Sequence, residues 1–184
     1  MRTFIAVDCT NKEKIFNLQQ NIINSFPNFN SLIRPVTIEN LHFTLFFFGD
    51  IETKQLELIS NKLKEIVFEK FEINYRKIGA FPSFKYPKVI WIGVDEKSEK
   101  ELNSLFELVK LKMEQIDFRS DKQFKAHLTL FRVKRPIANI EQYLNKYNNL
   151  SIDFSDIIDK IYIKKSELFS SGPVYSNILT IFAK

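Results

Sequence analysis

The chain contains two histidines, and both open the same four-residue word. The first is His42-Phe43-Thr44-Leu45, and the second is His127-Leu128-Thr129-Leu130, 85 residues later. With seven threonines and seventeen leucines among 184 residues, chance is a poor explanation for the repeat. On a β-strand, successive side chains point to opposite faces. Each word then puts His and Thr on one face and two apolar residues on the other. The apolar pair anchors the strand in a core. The imidazole and hydroxyl stand together on a rigid support, as a precise site requires. The chain must therefore build two comparable strands, each with one buried face.

The flanking sequence has a similar rhythm. A strand at "RTFIAV" and a helix at "KEKIFNLQQNIINSF", with Ile15, Leu18, Ile22 and Phe26 at helical spacing, precede the first word. Pro27 closes that helix and Gly49 closes the first histidine strand. A helix is expected over "TKQLELISNKLKEIVFEK", with Thr53 as its cap and Leu56, Ile59, Leu63, Ile66 and Val67 on one face. "FEINYRKIGAF" and "PKVIWIGVD" read as strands, and "EKELNSLFELVKLKMEQI" as the clearest helix. The second histidine strand, "KAHLTLFRV", is followed by a short helix at "IANIEQYLNKY". "SIDF", "IIDKIYIKKSEL" and "YSNILTIFA" complete the chain as strands, with "FSSGP" as a turn. No linker rich in Gly, Ser or Pro divides the halves. Residues 1–184 are therefore expected to form one bilobal domain with an internal duplication.

Composition narrows the function classes. Hydrophobic residues at 45% and charged residues at 27% fit a packed core rather than disorder. Gly occurs four times, and neither GxGxxG nor GxxxxGK[ST] is present, which argues against Gly-rich phosphate loops. The net charge of +5 suits an anionic partner such as a nucleotide or an RNA end. Cys9 is the single cysteine and cannot close an internal disulfide. The apolar run in "MRTFIAVDCT" stops at Asp8, too short for a secretory leader, so a cytoplasmic location is expected. The most apolar stretch, "LHFTLFFFG", is about half a membrane span.

Two histidines offer three chemistries. Metal binding needs three or four ligands, and the remaining candidates are Cys9 and carboxylates without ligand spacing. Nucleophilic catalysis by Cys9 or a serine would leave one histidine idle, and GxSxG is absent. Paired general acid–base catalysis uses both, because an unperturbed imidazole exists in both protonation states near neutrality.

The ordered set "MRTFIAVD", "ENLHFTLFFFGDI", "IGAFPSFKYPKVIWIGV", "FKAHLTLFRVK" and "SELFSSGPVYSNI" resembles the 2H phosphoesterase superfamily along nearly the whole chain, and specifically its RNA 2′,3′-cyclic phosphodiesterase branch, also called 2′-5′ RNA ligases. The resemblance implies an α+β fold of two lobes, each an antiparallel sheet flanked by helices, around a central cleft. It implies opening of a terminal 2′,3′-cyclic phosphate on RNA or an oligonucleotide to a 2′-phosphomonoester, without metal or cofactor. Some relatives run the reverse 2′-5′ ligation. In the roles it implies, His127 activates water and His42 protonates the leaving 3′ oxygen, although the near-symmetry of the words leaves this pairing to the resemblance alone. Thr44, Thr129 and Arg132 would bind the phosphate. Ala126 departs from the Pro of many members.

Arg132 stands five residues after His127, so strict alternation points it away from the cleft unless the strand ends or bulges, or Arg132 works from the rim. Phe46 and Phe48 continue the alternation of His42 and Thr44, and each is read either as a core residue, since Phe is common in this chain, or as a substrate contact in the cleft; Tyr175 is a further candidate contact. Arg119, Lys122, Lys125, Arg132, Lys134 and Arg135 bracket His127, with Asp121 the one acid among them, and could steer an RNA backbone. A monomer is expected. The other readings are a 2H enzyme acting on a small cyclic nucleotide such as ADP-ribose cyclic phosphate, and a non-catalytic module that binds RNA ends.

Overall fold

The structure is a computed structural model that describes residues 1–120, 123–149, 152–170 and 172–184. Asp121 and Lys122 of the basic run, Ser151 of "SIDF" and Ser171 of "FSSGP" lie outside the described residues. Among the described residues there are two antiparallel sheets. The first has β3 (His42–Asp50), β1 (Arg2–Asp8), β8 (Lys160–Phe169) and β9 (Gly172–Phe182) in that order. The second runs β2 (Ile33–Pro35), β6 (Leu128–Val133), β5 (Val89–Val94), β4 (Phe71–Phe81), β7 (Ser155–Ile158). The first histidine word thus lies in one sheet, and the second lies in the other apart from His127, which immediately precedes β6. Both sheets draw strands from both halves of the chain, so the cleft between them is assembled from residues distant in sequence.

Helices cover the sheets where their apolar spacing allows. In α4 (Glu96–Glu114), Leu102, Leu105, Phe106, Val109 and Met113 are all buried. That stripe packs on β3 of one sheet and β4 of the other. Asp95 caps α4 by accepting a 2.8 Å hydrogen bond from the Ser98 N–H. α5 (Ile140–Asn149) lies on β4, and α3 (Thr53–Lys64) lies against α4. Ile5 and Val7 of β1, Phe43 and Leu45 of β3, and Leu128 and Leu130 of β6 belong to one continuous hydrophobic core. The Phe43 and Tyr75 rings stack 6.1 Å apart and connect β3 to β4.

Several expected boundaries move. α1 (Lys12–Asn24) stops before Phe26, which leaves the helix and packs on Phe29 and Tyr143. Thr53 is the first residue of α3 rather than its cap. Glu52 caps it, and its N–H donates to Gln55 Oε1 at 2.9 Å. Val67 lies beyond α3 and is exposed. No described residue of the expected strand "SIDF" is in a strand, since Ile152–Phe154 have no regular structure, and the expected strand "IIDKIYIKKSEL" divides at Asp159 between β7 of the second sheet and β8 of the first. α2 (Phe29–Leu32), β2 and a 3₁₀ turn at Ile38–Asn40 were not expected. Elements of three or four residues are too short to carry a readable period.

Candidate active site

The two histidines are held in the same way. His42 Nδ1 donates to the Asn40 carbonyl at 2.7 Å, and His127 Nδ1 donates to the Lys125 carbonyl at 2.7 Å. A carbonyl can only accept, so the proton of each neutral ring sits on Nδ1 and the Nε2 lone pair is left for chemistry. His42 Nε2 lies 3.1 Å from Thr44 Oγ1. Each ring also meets an aromatic edge. Tyr175 stands perpendicular to His42 at 5.2 Å, and Phe81 perpendicular to His127 at 4.9 Å.

Both words end in a β-bulge at the same place. Ala6 pairs with Thr44 and Ile5 with Phe46, so Leu45 is the extra residue in β3. Trp91 pairs with Thr129 and Ile90 with Phe131, so Leu130 is the extra residue in β6. A bulge puts two residues of one strand opposite one of its partner and resets the alternation. Leu45 and Phe46 are therefore both buried, as are Leu130 and Phe131. The residue five places after each histidine returns to the histidine face. In β6 that residue is Arg132, which lines the cleft as the bulge alternative allowed. In β3 it is Phe47, which is 51% exposed and has the Arg2 guanidinium 5.1 Å above its ring.

This phase change decides between the two readings of Phe46 and Phe48 in favour of the core. Phe46 is 2% exposed in the core, and Phe48 packs between Phe46 and Phe118, so neither lines the cleft. Phe47 takes the cleft position instead. His42, Thr44, His127, Thr129, Arg132 and Tyr175 all line one cleft of about 590 Å³ between the sheets. Arg2, Phe4, Arg34, Phe47 and Phe81 also line it and were not read from the sequence. The word His-x-Thr-Leu-Phe, shared by both copies, carried a signal for Phe47. Nothing comparable marked Arg34.

Charge and burial act on both rings in the same direction. Burial, then the positive charges of Lys164, His127 and Arg132, push His42 down to about 4, against the opposing pull of its bond to Asn40. Burial and Lys125 also lower His127. Lys164 is itself buried, where it bonds Asp8 at 2.9 Å and Asn177 at 2.7 Å. A ring that must stay neutral in the native state but takes up a proton when unfolded couples folding to pH. The His42 contribution is complete above its ordinary value of 6.5 and is lost as the pH falls from 6.5 toward 4. Urea titrations between pH 7 and pH 4 should show stability falling with pH, by at most about 1.4 kcal/mol per unit from this group. The slope should be shallower in His42→Gln.

Among the described residues no three His, Cys, Asp or Glu side chains are grouped so as to hold a metal ion. No helix of the described residues is long and apolar enough to cross a membrane.

By fold and site, the molecule is a two-histidine protein with paired His-x-Thr strands facing one cleft between two antiparallel sheets. The LigT-like phosphoesterase family matches it twice in succession, over residues 8–91 and 92–175. An RNA 2′,3′-cyclic phosphodiesterase of Archaeoglobus fulgidus is 37% identical over 180 residues, covering 97% of this chain and 98% of the relative. A protein of the same description from Methanothermobacter thermautotrophicus is 30% identical over 182 residues, covering 97% and 96%. The chain belongs to the LigT-like phosphoesterase family. Its fold is that of E. coli LigT in apo form, with a TM-score of 0.78 at 19% identity over 99% of this chain and 96% of that one. It is also that of Thermus thermophilus TT0787, at 0.77 and 22% over 99% and 97%.

Proposed function

We propose that this chain is an RNA 2′,3′-cyclic phosphodiesterase that works by two-histidine acid–base catalysis. The observation that carries the reading is the equivalent anchoring of two imidazoles, each with Nδ1 tied to a carbonyl, in one cleft. The printed activity of the relatives that match nearly the whole chain supports the substrate. Water attacks the phosphorus of the terminal cyclic phosphate. His127 Nε2 takes a proton from that water as the new P–O bond forms. The bond from phosphorus to the 3′ oxygen breaks, and His42 gives that oxygen a proton. The products are a 2′-phosphomonoester and a 3′-hydroxyl. Thr44, Thr129 and Arg132 hold the non-bridging oxygens, where charge accumulates.

The acid role asks for a protonated His42, and its depressed proton affinity in the empty cleft fits that role once substrate is bound. A cyclic phosphate brings a negative charge against the ring and raises its affinity. The buried ring remains a strong proton donor at the moment of transfer. The bulges at Leu45 and Leu130 and the two successive family matches support reading residues 1–184 as one catalytic unit built from a duplicated half. Burial pushes the Cys9 thiol up to about 12, which suits an unreactive structural residue rather than a nucleophile.

The test is product analysis on a nucleoside 2′,3′-cyclic monophosphate, with and without chelator. The expected product is the 2′-monophosphate alone, at a rate unaffected by EDTA. A 3′-monophosphate, no monoester at all, or loss of activity with chelator would overturn the proposal.

A further inference from the structure

Two arginines from neighbouring strands meet on one wall of the cleft. In the pairing of β2 with β6, Arg34 lies directly opposite Arg132, and both line the cavity. Like charges directly opposite each other in a sheet work against folding. Side by side on the cavity wall, the two guanidiniums give that wall the character of an anion site. Arg34 is also set in place from across the cleft. Gly172, at the start of β9 in the other sheet, has φ +126, and a Cβ built on it would stand 3.2 Å from Arg34 Nη2 and 3.3 Å from Arg34 Cζ. The guanidinium thus lies close against the backbone of the β8–β9 hairpin, at a position that any side chain would crowd. β2 is the edge strand of its sheet, so Arg34 stands one strand further than Arg132 from β6, the strand that His127 leads into.

We propose that Arg34 binds a second anion, the phosphodiester that joins the reacting nucleotide to the RNA strand behind it. The inference rests on the cyclic phosphodiesterase reading. Arg132 serves the reacting phosphorus with Thr44 and Thr129, while Arg34 serves its neighbour. A guanidinium offers a planar fork of donors that suits two phosphate oxygens at once. The consequence is selectivity: a polynucleotide end engages both arginines, and a free nucleoside cyclic phosphate engages one.

The experiment compares a dinucleotide bearing a 5′-hydroxyl, one internal phosphodiester and a 2′,3′-cyclic phosphate with the corresponding mononucleotide. The native chain should favour the dinucleotide in kcat/KM. In Arg34→Gln that preference should shrink by about tenfold to a hundredfold, chiefly through KM for the dinucleotide. Arg34→Lys should restore part of it. Thermal melting of each variant monitors folding. Equal losses on both substrates, or an unchanged ratio, would overturn the inference while leaving the catalytic reading intact. Failure of the native chain to cleave either substrate would overturn the reading itself.

Discussion

His42→Ala and His127→Ala are each expected to lower turnover of a nucleoside 2′,3′-cyclic phosphate by about 10²- to 10⁴-fold, the usual worth of a positioned acid or base. The double variant should be little worse than either single one, because residues that act as a unit do not contribute additively. The native pH–rate profile should be bell-shaped, with activity rising as one imidazole loses its proton and falling as the other does. Each single variant should lose one limb. The limb that disappears assigns acid and base independently of any resemblance. Circular dichroism and thermal melting should remain close to native, since both rings border the cleft and the core beneath them is built by Phe43, Leu45, Leu128 and Leu130. A single variant that retains near-native turnover would end the two-histidine mechanism.

The largest loss of stability is expected far from the cleft, at Asp156. Its carboxylate is 3% exposed. It accepts hydrogen bonds from the Tyr75 hydroxyl at 2.7 Å, the Asn11 N–H at 2.7 Å and the Thr10 N–H at 3.2 Å, and also from the Thr10 hydroxyl. Asn11 makes no capping bond with its own side chain at the start of α1, and Asp156 on β7, 145 residues away, instead holds the backbone N–H groups of Thr10 and Asn11 just ahead of the helix. Asp156→Ala leaves a buried Tyr75 hydroxyl and the backbone N–H groups of Thr10 and Asn11 without their acceptor. The expected cost is about 3–5 kcal/mol, a large share of the stability of an ordinary domain. Urea denaturation would measure it. A double-mutant cycle with Tyr75→Phe should show coupling between the two side chains. A loss below about 1 kcal/mol would mean that water replaces the carboxylate readily.

The paired words and the long helices were legible because each depends on a local period. The alternation of His and Thr against Phe and Leu places the site residues on one face. The spacing of Leu102, Leu105, Phe106, Val109 and Met113 reveals the side of α4 that meets the sheets. Phase errors arose where the period was interrupted. Alternation extrapolated past Thr44 offers Phe46 and Phe48 to the cleft against the core reading that the abundance of Phe favours, and the bulge at Leu45 settles it by burying Phe46 and turning Phe47 outward. The same interruption in β6 turned the apparent misfit of Arg132 into a cleft residue. A bulge is set by pairing with the neighbouring strand, information that a single run of residues holds only indirectly. Here the trace was the pair Leu-Phe after Thr in both copies, two apolar residues in a row where alternation calls for one. Arg34 and the bonds of Asp156 to Thr10, Asn11 and Tyr75 depend on contacts between distant segments, and no local period encodes them.

The order of strands in the first sheet has a consequence for synthesis. β1 lies between β3 and β8, so the strand carrying His42 has its immediate neighbour early, but the wall behind that neighbour is built from residues 160–182. A ribosome that stalls after residue 159 would release a polypeptide already holding both His-x-Thr words yet missing half of one sheet, with the edge of β1 open to adventitious pairing. Quality control of such fragments, rather than any defect in the catalytic groups, would decide the fate of a prematurely terminated message.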